Sequence, residues 1–167
     1  MNKTTILFSY LKYIFHICTN IFQTIQFLLM EFKYHHMNLC TEDVPRLSKF
    51  YQSIFDLNRL QDEEHGLTTE DTVNRYDGQV EFLTDGAVEF HITKKDITTA
   101  FRMNMPINPI QNGHFCFRTN DIEGFKKKLE EQGIPYADYG KWALAGWYQI
   151  FFHDPDGNII EVHQIGM

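Results

Sequence analysis

Apolar and polar positions fall into two matching series along most of this chain. The first series begins at His36-Met-Asn-Leu-Cys-Thr-Glu-Asp43 and the second at His114-Phe-Cys-Phe-Arg-Thr-Asn-Asp121. In each, a strand-like run leads from a His to a Thr and then an Asp, at one constant offset, and the Asp is a helix-start residue. After Asp43, Pro45 suits a first helical turn, and Val44, Leu47, Tyr51 and Ile54 form an apolar face. After Asp121, Ile122, Phe125 and Leu129 form the matching face, and Lys126, Lys127, Lys128, Glu130 and Glu131 a solvated one. Gly133 is placed to end this helix.

Strand patterns follow each helix: residues 57–61, 73–84 and 87–93 in the first half, and 136–141, 148–153 and 159–164 in the second. Asp85-Gly86 and Asp154-Pro-Asp-Gly157 mark tight turns. Each half therefore reads as a βαβββ module. Repeat one spans residues 33–93 and repeat two 113–165. Residues 94–112, with Pro106 and Pro109, connect them, and residues 30–167 form a single α+β domain.

Residues 1–29 break this pattern. They contain no Gly, Ala, Pro, Val, Asp, Glu, Arg or Trp. A signal peptide lacks its small-residue cleavage site here. An amphipathic helix fits the spacing of Leu7, Leu11, Ile14, Ile17, Ile21, Ile25 and Leu28, but polar residues interrupt any bilayer-spanning window. Upstream translated sequence, with Met30 as a natural start, fits the alphabet best. Membrane contact is expected only if this extension is native and helical.

Composition changes the picture modestly. The net charge is −7 without a basic block, which argues against a nucleic-acid partner. Cys18, Cys40 and Cys116 show no pairing pattern and suit a reducing, cytoplasmic compartment. Fifteen Phe and eight Tyr favour strands and a large interior.

The repeat also carries chemistry. Each half has a His in its first strand and a Glu in its last: His36 with Glu89, and His114 with Glu161. A pseudo-twofold would bring all four to one point, where two imidazoles and two carboxylates suit one divalent Zn, Ni, Fe, Mn or Co ion. A six-coordinate ion held this way keeps two positions for substrate oxygens. His91 and His163 share a strand face with Glu89 and Glu161, which makes them rival ligands or supporting partners. His35 is expected to face away.

The segments His36-x6-Asp43 with Phe50-Tyr51, Gly113-His114 and Asp154-Pro-Asp-Gly-Asn-Ile-Ile-Glu161 resemble the vicinal oxygen chelate superfamily, which includes glyoxalase I, bleomycin-resistance proteins, fosfomycin-resistance transferases and extradiol dioxygenases. The resemblance spans about residues 33–165. It implies paired βαβββ modules forming an incomplete barrel around a metal, often in a homodimer. Resemblance to glyoxalase I implies four ligands, His36, Glu89, His114 and Glu161. It further implies a metal-dependent lyase or isomerase acting on a small oxygenated metabolite, in which Glu161, or else Glu89, moves the proton. Resemblance to the three-ligand members, an iron-dependent extradiol dioxygenase among them, implies His36, His114 and Glu161 alone. A metal-free, bleomycin-resistance-like binding protein is the third alternative. Glyoxalase I carries an Arg four residues after its first His; Cys40 stands there instead, and Arg118 holds the corresponding place in the second half. Arg118, Arg102 and Trp147 are the candidate substrate contacts.

Overall fold

The computed structural model describes residues 11–18, 29–60 and 78–166. Residues 11–18 are helical and exposed throughout, and the rest of the extension before Leu29 lies outside the described residues. No helix among those described is long and apolar enough to cross a membrane.

The elements run in order: β1 (Phe32–Thr41), α1 (Val44–Phe55), β2 (Asn58–Arg59), β3 (Val80–Thr84), β4 (Glu89–Lys94), α2 (Thr99–Arg102), β5 (His114–Thr119), α3 (Ile122–Glu131), β6 (Tyr136–Lys141), β7 (Trp147–His153) and β8 (Ile159–Ile165). One eight-stranded sheet takes the order β2-β3-β4-β1-β5-β8-β7-β6 and does not close on itself. The fold is mixed α+β. Each half repeats the same pairing: β1 lies parallel to β4, and β5 parallel to β8. The halves join through the antiparallel β1–β5 pair at the centre.

Local chemistry accounts for the elements. Asp43 and Asp121 cap α1 and α3, their carboxylates accepting from the Arg46 and Gly124 backbone N–H groups at 3.0 and 2.9 Å. Asp85 accepts from the N–H groups of Ala87 and Val88, closing the β3–β4 turn. Asp154 does the same for Asp156 and Asn158 between β7 and β8. Of the strand pattern at residues 73–84, Val80–Thr84 form β3, and residues 73–77 lie outside the described ones. The connection holds one short helix, α2, that its prolines did not suggest.

The sheet has an outer face under the helices and an inner face around a cavity. On the outer face, Val44, Leu57, Leu83 and Ile92 pack with Leu47 and Tyr51 of α1. Ile122, Phe125, Leu129, Ile150 and Val162 make the equivalent core under α3. Ile54, expected on the buried face of α1, is exposed. A third cluster, Ile107, Ile110, Ala137, Tyr139, Trp142 and Phe151, ties the connection to the second half.

Candidate metal centre

Strand alternation sends His36 and Asn38 of β1, His91 of β4, His114 of β5, Gln149 of β7 and Glu161 of β8 toward the cavity. Three of these converge. His114 Nε2 lies 2.9 Å from Glu161 Oε2, His36 Nε2 lies 3.6 Å from the same oxygen, and the two Nε2 atoms are 3.4 Å apart. All three residues are buried.

These separations fit one ion. Ligands about 2.1 Å from a metal stand about 3 Å apart at right angles and about 3.4 Å apart on a tetrahedron. The hydrogen-bond partners point the same way. His114 Nδ1 donates to the Pro109 carbonyl at 2.8 Å, so its Nε2 carries a lone pair. That lone pair faces an oxygen of a carboxylate, and two acceptors at 2.9 Å require a cation or proton between them. Burial by itself would raise the Glu161 carboxyl. The imidazole rings of His114, His163 and His36 that surround it overcome that and hold it well below the usual range. Burial first, and then His91, hold His36 well below the ordinary imidazole value, leaving it neutral.

The other Glu161 oxygen is fully engaged. Oε1 accepts from Gln149 Nε2 at 3.0 Å and faces His163 Nδ1 at 3.2 Å. Arg118 Nε donates to His163 Nε2 at 2.9 Å. A guanidinium only donates, so the neutral His163 ring keeps its proton on Nδ1, the atom that meets Glu161.

Glu89 is not among the converging atoms. Its carboxylate pairs with His91 Nε2 at 2.9 Å and approaches His35 Nε2 at 3.5 Å, and it does not line the cavity. The pairing register gives the reason. Asn38 is opposite His91 and Cys116 is opposite Glu161, while Asn38 and Cys116 each lie two residues beyond the repeat's His. His91 therefore occupies the place equivalent to Glu161, and Glu89 lies two residues earlier. A two-residue slip keeps a side chain on the same face, so the likeness of Val-Glu-Phe-His to Ile-Glu-Val-His sets the halves out of register. The His91 ring lies on the His36 ring, with centroids 3.7 Å apart.

His35 also departs from expectation. The β1–β5 register shifts between Tyr34 and His36, leaving His35 as the extra residue of a bulge. A bulge breaks strict alternation, so His35 joins the inner cluster, with its Nδ1 3.0 Å from His36 Nδ1. Burial lowers its pKa to about 3.

Of the candidate substrate contacts, Trp147 is buried and lines the cavity. Arg118 does not line it. Its guanidinium is taken up by His163, by His35 and by the face of Trp147, 5.5 Å from the ring centre. Arg102 sits on α2, ion-paired with Asp96, and is likewise absent from the lining. The segment 141–148, whose aromatics suited a pocket wall, also supplies Trp142 to the lining, whereas Gln149 was not singled out by sequence pattern. Alternation along β7, which puts Trp147, Gln149 and Phe151 on one face, is the signal that marks Gln149.

Residues 33–162 match the model of the Glyoxalase/Bleomycin resistance protein/Dioxygenase superfamily. The chain belongs to this superfamily. Within it, a stretch of 60 residues is 42% identical to the Arabidopsis thaliana protein Glyoxylase I 4, covering 34% of this chain and 32% of that protein. This superfamily chain thus spans about a third of the length of that curated relative. Methylmalonyl-CoA epimerase from Mycobacterium tuberculosis superposes with a TM-score of 0.53 at 13% identity, covering 80% of this chain and 88% of that one. A superfamily member from Vibrio splendidus superposes with a TM-score of 0.50 at 17% identity, covering 81% and 98%. At these identities the superpositions speak for the fold alone.

Proposed function

We propose that this superfamily member is a divalent-metal-dependent enzyme of glyoxalase type, a lyase or isomerase acting on a small oxygenated metabolite. His36, His114 and Glu161 are the proposed ligands, and one Zn, Ni, Fe, Mn or Co ion the proposed cofactor. The observation that carries the reading is the meeting of the His114 Nε2 lone pair with Glu161 Oε2 at 2.9 Å, inside a cavity. When bound, such an ion supplies Lewis acidity to oxygens of a chelating substrate.

The chain's own residues do the rest. Pro109 fixes the His114 tautomer, while Gln149 and His163 aim Glu161 Oε2 at the ligand point. Trp142, Trp147 and Phe82 give the cavity an apolar wall. Proton transfer to Glu161 belongs to this proposal, and Glu89, outside the cavity lining, is not retained as a base. The partner proposed is a small molecule rather than nucleic acid, in a cytoplasmic homodimer; sedimentation tests the dimer.

Elemental analysis and calorimetric metal titration test the reading. Wild type should bind one equivalent, and His114→Ala and Glu161→Gln should weaken it by at least about tenfold each. Turnover of 2-oxoaldehyde–thiol adducts by the loaded protein tests the reaction class. Wild type that folds but takes up no metal defeats the proposal.

A second reading has its own support. Two His and one carboxylate, with Glu89 elsewhere, match the ligand set of non-haem Fe(II) oxygenases. Oxygen uptake on catechols by the Fe(II)-loaded protein, without turnover of the thiol adducts, selects it.

A further inference from the structure

Gln149 is buried at 4% exposure on β7 and lines the cavity. Its Nε2 donates to Glu161 Oε1 at 3.0 Å. Its Oε1 is the single buried side-chain polar atom without a hydrogen-bond partner among the described residues. The orientation of the amide is not arbitrary. Turning it over would set the amide oxygen against a carboxylate oxygen at the same distance, two acceptors with no donor between them. Glu161 Oε1 thus keeps the amide nitrogen on its side and leaves Gln149 Oε1 without a protein partner.

An acceptor left bare in a buried site costs free energy unless something that enters the cavity donates to it. The rest of the lining narrows what that is. Val80, Phe82, Trp142, Leu144 and Trp147 make an apolar wall, and no Lys or Arg is among the described lining residues. Among the described lining residues, then, no cationic side chain is present to hold a phosphate or a free carboxylate. The cavity offers a metal point, one acceptor beside it and an apolar surround.

We propose that Gln149 is a specificity-determining residue whose Oε1 accepts a hydrogen bond from a hydroxyl adjacent to the metal-facing oxygen of the substrate, an α-hydroxycarbonyl compound with a compact apolar or aromatic body. The proposal rests on the metal reading above and adds the donor requirement and the uncharged apolar body. It assigns Arg118, turned toward His163 and His35, no part in binding an anionic tail.

The test uses two probes, 2-hydroxyacetophenone and its methyl ether, 2-methoxyacetophenone, titrated into the metal-loaded protein. Both tryptophans of the chain, Trp142 and Trp147, line the cavity, so quenching of intrinsic fluorescence reports binding there. Wild type should bind the hydroxyketone at least about tenfold more tightly than the ether, the loss expected when a site built around a hydroxyl meets an analogue that lacks one. In Gln149→Met the preference for the hydroxyketone over the ether should collapse to within about twofold, whatever the variant does to the affinity of both through Glu161. Equal weakening of both probes, or of neither, overturns the proposal. If Gln149→Met does not fold, wild type alone decides: a preference of about tenfold supports the inference, and one below about twofold overturns it. Metal content is measured on the same samples. A wild type that holds no metal defeats the metal reading and leaves the probe comparison to be read on the metal-free protein.

Discussion

Replacing Gly113 by Ala tests how closely the halves are pressed together next to the metal centre. Gly113 precedes His114 and has φ +93°, and a Cβ there would stand 2.3 Å from the backbone oxygen of Asn38. Asn38 is the β1 residue opposite both His91 and His114. Its carbonyl cannot retreat without carrying the β1 backbone, and His36 with it. Gly86 provides the control: φ is +95°, and a methyl group added there would meet nothing within 4 Å. Both substitutions incur the left-handed penalty of about 1 kcal/mol. Only Gly113→Ala adds overlap with fixed backbone, about 2 kcal/mol more. For a chain of this length, that excess corresponds to roughly 4–8 °C in Tm. Thermal melts of the metal-free proteins read the difference, and metal titration should show weakened binding for Gly113→Ala alone. Equal melting temperatures for the two variants would refute the claim of a rigid approach between β1 and the start of β5.

Glu89→Gln should leave metal affinity within about threefold of wild type, whereas Glu161→Gln should lose at least about tenfold, both measured by competition with a chromogenic chelator. His35, with a folded pKa of about 3, resists a proton that the unfolded chain accepts near pH 6.5. His36 acts in the same direction. Stability contributed by these groups is therefore complete above about pH 6.5 and is lost as pH falls toward 3, so the Tm of the metal-free protein should drop over that window and less so in His35→Gln. Asp121→Ala removes the cap of α3 and should cost about 1 kcal/mol, seen as a lower denaturant midpoint at unchanged slope.

Features written locally were the legible ones. Asp43 and Asp121 announced helices because a capping carboxylate acts on an N–H three residues away. Asp85 and Asp154 announced turns by the same short reach. The pairing of the β1–α1 and β5–α3 units followed from the common offset of those local signals. Long-range register was not legible. Glu89 and His91 lie on one face with the same alternation, and only pairing across to Asn38 tells which is equivalent to Glu161. The bulge at His35 was hidden for a related reason: one extra residue leaves no mark until a partner strand shows what it fails to pair with. Arg118 looked like an anion anchor in isolation, and its neighbours His163 and His35 come from strands far away in the chain.

The bulge also has a consequence for what precedes it. Along a strand, inside and outside form a two-letter reading frame, and a single extra residue is a frameshift. Here Phe32–Tyr34 pair with Phe117–Thr119 in one frame, and Met37 and Asn38 pair with His114 and Phe115 in another. The frame of His36 is held by β4 and by the start of β5, not by the residues ahead of it. The two frames are thereby separate: the pairing of Phe32–Tyr34 with β5 does not set which atoms of β1 beyond the bulge face the cavity.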